Sequence, residues 1–461
     1  MPTQNEKAYK RSCLFLSLMI FVVLPFSLIL LLLLLWFGRE SSGNRRLADR
    51  KASIVKQGLP IDDVSMDQFY RDRTDPKNVA AWKSVLATMA SEDFKASLKG
   101  VAILSETSEQ PIIPDHEWKE EADSIAFLEK WKTLHAEAVQ LSIDSKPVQL
   151  PIVFDSFNTL LTEVQELRQV ARFLELQGRV GLRARDSSIV RENIDALLGL
   201  SKVPTGCPCL VSQLVAIAMD GIAMGLLKDA LEYDVLNEGD LKILLLKVLL
   251  DVNVGDEWKM TIAGERAMAL PIFTDTTKAR AAGIASIPGR SRDALLYLDL
   301  SEEVMEVSSE NLKEFKAKLL NMEEKVKAIG NANLLSQFDS IMTLQTLPAM
   351  GACGEAFIRR ALQHRIAALA IGIRLYEDRN ASLPTSLDAL TEILDIKHLM
   401  PTNTSSFGYR KDGTRATLWG GSFRDSLTIA AEPHRAQTEG EDNLAKSNRA
   451  MWLWELPAGN K

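Results

Sequence analysis

Apolar positions along this chain fall into three patterns, and each predicts a different kind of element. From Cys13 to Phe37 the sequence CLFLSLMIFVVLPFSLILLLLLLWF carries no charge over twenty-five residues. About twenty apolar residues cross the hydrocarbon core of a bilayer, so residues 13–37 predict a transmembrane helix with length to spare for tilt. Trp36 and Phe37 suit the interface at one end, and a mid-span proline such as Pro25 is tolerated in membrane helices. A cleaved signal peptide would have a shorter apolar region and a small-residue cleavage site. Trp-Phe-Gly-Arg-Glu follows instead, which predicts an uncleaved anchor.

The second pattern is the three-to-four spacing of helices with one buried face. Phe157, Leu160, Leu161, Val164, Leu167, Val170, Ala171 and Leu174 follow it and predict a helix from about Ser156. A helix over Ser187–Leu200 opens on the cap candidate Asp186 and stops before Pro204. Others are predicted over 77–99, 117–142, 210–233, 241–250, 257–270, 301–329 and 349–378. Residues 38–65, broken by Ser41-Ser42-Gly43, Gly58 and Pro60, read as a membrane-proximal linker with one helical stretch. Residues 275–300, with Gly283, Pro288 and Gly289, read as irregular. Cys209–Leu227 is nearly all apolar, but Asp220 in its middle would cost about 2.5–3.5 kcal/mol in a bilayer, so a buried core helix is expected.

The third pattern begins beyond Asp378, where short β-prone runs alternate with turn signals. Asp412-Gly413 between Phe407–Lys411 and Thr414–Trp419 predicts a hairpin, and Leu427–Ala431 and Met451–Leu456 are further strand candidates. The predicted fold class is mainly α: an N-terminal transmembrane helix, a multi-helix body and a small C-terminal α+β unit with short antiparallel strands. The expected divisions are a basic tail (1–12), the anchor (13–37), linker and short helices (38–110), the helical body (111–345), and a long helix with the α+β unit (346–461).

Charge adds placement. Residues 1–51 hold eight Lys/Arg against three acids, a net of +5, so a chain total of −7 leaves −12 on the remainder. An acidic body of this kind lacks the basic footprint of nucleic-acid binding, and no nucleic-acid partner is expected. The basic residues bracket the anchor, where anionic headgroups attract them, which makes the bilayer itself the first expected partner. Basic residues stand on both sides of the span, Lys7, Lys10 and Arg11 before it and five more between Arg39 and Lys51, so charge alone leaves the orientation open.

Candidate chemistry is sparse. Cys207-Pro208-Cys209 has one intervening residue where a thioredoxin-like motif has two, and no second Cys/His pair stands nearby to complete a zinc site. With Cys353 these make three cysteines outside the anchor, an odd number, so one pair at most can form; the first reading of Cys207-Pro208-Cys209 is a turn with buried or singly paired thiols, and the second is a bond from Cys353 to Cys207 or Cys209. His116, His135, His364, His398 and His434 show no helical metal spacing. No Gly-x-Ser-x-Gly elbow, phosphate-binding loop or dinucleotide fingerprint occurs, so no catalytic, metal or cofactor-binding residue is assigned. Glu265-Arg266 after Gly264 is the remaining pair of interest, read first as a buried ion pair to a neighbouring helix and second as a binding feature.

Two stretches carry a resemblance. Ile373-Arg374-Leu375-Tyr376-Glu377-Asp378-Arg379-Asn380 ends a helix, Leu383-Pro384-Thr385-Ser386-Leu387-Asp388-Ala389-Leu390 follows it, and Met400-Pro401 comes later. This resembles the Tyr-x-x-x-x-Gly-x-x-Pro-x-x-Leu-x-x-Leu segment of the major pseudopilins of type II secretion, which recurs in uncharacterised membrane-anchored exported bacterial proteins. Asn380-Ala381 stand around the usual Gly, Leu383 stands where Tyr is usual, and the N-terminus lacks the prepilin peptidase pattern. Within Glu166–Phe273, an Arg/Leu-rich helix, then Ser212-Gln213-Leu214-Val215-Ala216-Ile217-Ala218 and Gly264-Glu265-Arg266 are similar to the helical body of the same exported proteins. The resemblance implies an envelope location with the N-terminus inside and the body outside, and it implies no reaction. Physically, Pro384 forces a turn, after which Thr385 or Ser386 can cap a short helix that packs Leu387, Leu390 and Leu394 back on the long one. The expected function is a structural or interaction protein of the bacterial envelope with an envelope protein as partner. The rival is a hydrolase-like envelope enzyme whose site assembles only in the fold.

Overall fold

The computed structural model describes residues 24–105, 112–143, 145–250, 254–281, 290–308, 311–333, 336–337, 339–395, 399, 407–422, 427 and 450–459. The expected anchor therefore lies partly outside the described residues, which begin inside it. From Leu24 the chain forms one helix, α1 (Leu24–Lys56), which takes in residues 38–56 of the stretch read as a linker and ends just before Gly58 and Pro60. The reason is a stripe at helical spacing: Gly43, Leu47 and Ile54 are buried, with Arg50 half-buried between them.

Short helices come next: α2 (Asp63–Arg73), α3 (Val79–Met89), α4 (Glu92–Ser97), α5 (Glu121–Lys130) and α6 (Lys132–Ser142). The expected helix over 77–99 is split because the Ser91 hydroxyl accepts from the Phe94 N–H and caps a new start. Next is α7 (Thr162–Arg183), six residues later than the stripe predicted. Before it, Ser156 adopts positive φ, the Thr159 hydroxyl donates to its carbonyl (2.7 Å), and Leu160 is left 77% exposed. That local turn chemistry takes the first three positions of the stripe away from the helix.

The centre is built from α8 (Ser187–Leu200), α9 (Leu210–Glu232), α10 (Glu238–Leu250), α11 (Gly255–Thr274), α12 (Thr276–Ala281), α13 (Arg290–Met305), α14 (Leu312–Gly330) and α15 (Ile341–Asn380). As expected, the Asp186 carboxylate caps α8, accepting from the Ser188 (3.0 Å) and Ile189 (3.2 Å) N–H groups. Much of the segment read as irregular is helical, since α13 supplies the face on which α1 lies. Conversely, the helix expected over 301–329 is two, α13 ending at Met305 and α14 opening at Leu312 under an Asn311 cap. Helix α15 crosses the expected boundary at 345/346, is buried nearly all round between Ala361 and Leu375, and packs against α9, α10 and α14. One apolar core joins residues from Leu47 to Leu456.

Helix α9 is long and apolar enough to cross a membrane, yet 61% of its most apolar window is buried within the body, as expected of a core helix. Helix α15 ends at Asn380, four residues before Pro384, with Ala381 in the left-handed region (φ 50°). A short 3-10 helix (Leu387–Glu392), whose N-cap Ser386 makes no side-chain cap, buries Leu387, Leu390 and the following Leu394. Leu394 packs on Gly372 of α15, so a Cβ added there would have to push the tip of the Leu394 side chain aside. Three antiparallel strands, β1 (Phe407–Asp412), β2 (Arg415–Ser422) and β3 (Ala450–Pro457), form a sheet in that order. Asp412 pairs with Arg415 across a turn where Gly413 has φ of 57°, the left-handed backbone a tight hairpin needs. Ala416, Leu418, Trp454 and Leu456 are buried. Leu427 is in a turn, and the rest of that strand candidate lies outside the described residues.

Candidate functional site

The two local features singled out in the sequence meet at the N-terminus of α9, where Leu210 and Glu265, fifty-five positions apart, are hydrogen-bonded. Cys207 and Cys209 flank Pro208, and the Cys209 N–H donates to the Cys207 carbonyl (2.9 Å), the i to i+2 bond of a γ-turn. Cys209 occupies the N-cap position of α9 but offers no side-chain cap. The first helical N–H, that of Leu210, instead donates to Glu265 Oε1 of α11 (2.6 Å). The Ser212 hydroxyl donates to the Pro204 carbonyl (2.8 Å), and Gln213 Nε2 donates to the carbonyls of Thr205 (2.9 Å) and Cys207 (3.3 Å). Gly264 completes the seat: a Cβ there would run into the Pro208 carbonyl, with Met66 Cε 2.9 Å away on the other side.

Three acidic groups share this pocket of structure. The thiols of Cys207 and Cys209 are 3.4 Å apart and each residue is 1% exposed. The Cys209 thiol is pushed well up, by its contact with Cys207 and then by burial. Burial raises the Glu265 carboxyl to about 7, against the pull of the Leu210 N–H. That carboxylate faces the positive end of a 23-residue helix, where negative charge is favoured, so two effects of opposite sign set its proton affinity.

Glu265 and Arg266, whose sequence suggests an ion pair to a neighbouring helix or a binding feature, part company in the fold. Adjacent helical residues point about 100° apart, and here they serve different neighbours. Arg266 turns inward at 1% exposure, and its Nε and Nη2 find no hydrogen-bond acceptor. Burial lowers its guanidinium to about 10; the nearby Arg50 of α1 adds to the drop, and Tyr297 opposes it. Cys353, also a buried free thiol, lies on α15, and burial raises it to about 11. Among the described residues, Cys207 and Cys209 have their sulfurs in contact with each other, not with Cys353.

A second buried polar cluster was not read from the sequence. His364 of α15 places Nε2 2.7 Å from Asp220 Oδ2 and Nδ1 3.0 Å from the Val248 carbonyl. Arg360, one turn back, approaches the same Asp220 oxygen (3.5 Å) and donates to Glu257 of α11 (2.8 Å). Burial opposes both charges of the pair, but each partner overrides it: Asp220 is held below its usual range, with help from Arg360, and His364 above its own. The signal available beforehand was Asp220 alone, an acid inside an apolar run; nothing local pointed to His364. Among the described residues, no group of three or more His, Cys, Asp or Glu is placed to hold a metal ion.

No known protein family matches this chain, and neither the curated proteins nor the solved structures contain a match.

Proposed function

We propose that this chain is a membrane-anchored protein of the bacterial envelope whose helical body stands outside the cytoplasmic membrane as a structural or interaction module. The observation that carries the reading is the two-part character of α1. Its apolar half exposes Phe26, Leu28, Leu30 and Leu31, which water does not favour and lipid does. Its other half is docked: Leu47 and Ile54 are buried, a Cβ on Gly43 would meet Ser291, and Arg50 pairs with Glu302 and Asp299 of α13. An anchor that continues without a break into the body holds that body against the membrane at a fixed angle.

An interaction role draws on α10, where Ile243, Leu246 and Leu250 are exposed (43%, 65% and 76%) at helical spacing. The hydrolase reading would need a His and an acid within reach of substrate. His364 and Asp220 have that pairing, but both are 0% exposed, so this observation supports the module over the enzyme. The pseudopilin-like segment after α15 supports the outer placement.

The test is alkaline phosphatase and green fluorescent protein fused separately after Lys461 in a bacterial host. Active phosphatase with a dark fluorescent fusion is the expected result. A bright fluorescent fusion with inactive phosphatase would overturn the outer placement.

A further inference from the structure

We propose that Cys207 and Cys209 are a reversible dithiol–disulfide pair closed across Pro208. Two residues apart, their Cα atoms cannot be separated by more than about 7 Å even in extended chain, and the γ-turn contracts that distance into the roughly 4.4–6.8 Å that disulfides span. Proline presets φ near −65°, close to the value an inverse γ-turn requires at its centre, so Pro208 holds the two flanking residues in the ring-closing shape. The sulfurs already face each other at 3.4 Å.

The surroundings hold the turn in place without filling the space between the sulfurs. Gly264 packs on the Pro208 carbonyl, Gln213 Nε2 donates to the Cys207 carbonyl, and Glu265 takes the Leu210 N–H. Both thiols are buried, so exchange proceeds when the contact between α11 and the start of α9 opens, or while the chain folds. Closing so short a loop removes little unfolded-state entropy, which marks the pair as labile rather than as a structural staple.

The reaction is a two-electron exchange with a protein or peptide disulfide. The thiolate of one cysteine attacks the partner disulfide, forming a mixed disulfide and releasing one partner thiolate. The second cysteine, deprotonated, then attacks the sulfur of the first, which forms the intramolecular bond and expels the other partner thiolate. The two protons lost by Cys207 and Cys209 end on the reduced partner. In the cell the oxidised form rests on the outer placement proposed above, since that compartment favours disulfides; the closure itself rests on the geometry alone.

The experiment uses the full chain in detergent micelles. It is first reduced, then equilibrated with glutathione disulfide at a urea concentration below the unfolding transition, and quenched with N-ethylmaleimide. Peptide mapping is expected to find Cys207 and Cys209 unalkylated and joined within the tryptic peptide 203–228, lighter by two hydrogens and reopened by dithiothreitol, with Cys353 alkylated. Cys353→Ser should leave that result unchanged. Alkylation of both Cys207 and Cys209, stable glutathione adducts on them, or a bond from either to Cys353 would overturn the pair. Because the closure is measured on purified protein and the placement by the fusions, failure of one is distinguishable from failure of the other.

Discussion

Replacing Glu265 by Gln separates its charge from its hydrogen bond. Gln keeps an oxygen where Oε1 accepts from the Leu210 N–H at 2.6 Å, and it keeps the side-chain volume, but it cannot ionise. Burial raises the Glu265 carboxyl from 4.5 to about 7, so the folded chain retains a proton that the unfolded chain gives up. The stabilising effect of that proton is fully present below pH 4.5 and is lost as pH rises through about 7. At roughly 1.36 kcal/mol per pKa unit the loss amounts to about 3 kcal/mol, an upper bound because Glu265 keeps part of its exposure. Glu265→Gln is therefore expected to match the natural chain near pH 4.5 and to exceed it by up to about 3 kcal/mol at pH 8. Urea unfolding of both proteins in the same micelles, followed by tryptophan fluorescence from pH 4.5 to 8, measures the gap directly. A gap that stays constant over this range would refute the reasoning, since it would mean that Glu265 does not titrate there.

Gly264→Ala drives a Cβ into the Pro208 carbonyl and is expected to cost about 1–3 kcal/mol or more, whereas Gly221→Ala, with open space beside a helical glycine, is expected to gain about 0.5–1 kcal/mol; urea midpoints report both. His364→Ala removes the partner of a fully buried Asp220 and is expected to cost about 3–5 kcal/mol in the same assay. The natural pair's contribution should fade at both extremes: as pH falls through the depressed Asp220 value, and as it rises through the elevated His364 value. Leu246→Glu, on a 65% exposed position, is expected to change stability by under about 0.5 kcal/mol while weakening association with the proposed envelope partner, read by co-isolation after cross-linking in the intact envelope.

What the sequence showed and what it hid follow from how local each signal was. The Asp186 cap and the Asp412-Gly413 hairpin are settled within a few residues of chain, and both stand in the structure. The two largest departures, the unbroken α1 and the helical α13, are one interface seen from its two sides. Gly43, Leu47 and Ile54 form too sparse a stripe to outweigh Ser41-Ser42-Gly43 as a turn signal until Ser291 is set against Gly43 and Asp299 and Glu302 against Arg50. Neither side has meaning alone, so each segment reads as polar and punctuated. The candidate site was half legible for the same reason. Cys-Pro-Cys and Glu265 were visible as residues, but their meeting depends on α11 crossing the start of α9.

The same cross-helix logic explains why α9 belongs to the body and not to the bilayer, although its composition would permit either. An isolated helix of this kind leaves its first N–H groups and last carbonyls without partners. Here the Leu210 N–H goes to Glu265, and the Leu231 carbonyl accepts from Arg374 Nε (3.1 Å) and Nη2 (2.6 Å). Midway, Asp220, which would be costly in lipid, is held by His364 and Arg360. All three polar demands of the helix are met by side chains of α11 and α15. Helix α15 itself repeats the device: the Asp293 carboxylate of α13 accepts from its Met342 (2.9 Å) and Thr343 (3.2 Å) N–H groups, because its N-cap, Ser340, makes no side-chain cap. A bilayer has no such groups to offer. Moving α9 into one would strand Asp220 in lipid and take from Glu265 and His364 the partners they have on α9, while Arg360 keeps Glu257 and Arg374 keeps Glu377. An unpaired acid in lipid and a buried carboxylate left without its donor both oppose the move. The residues on both sides of α9 share one core.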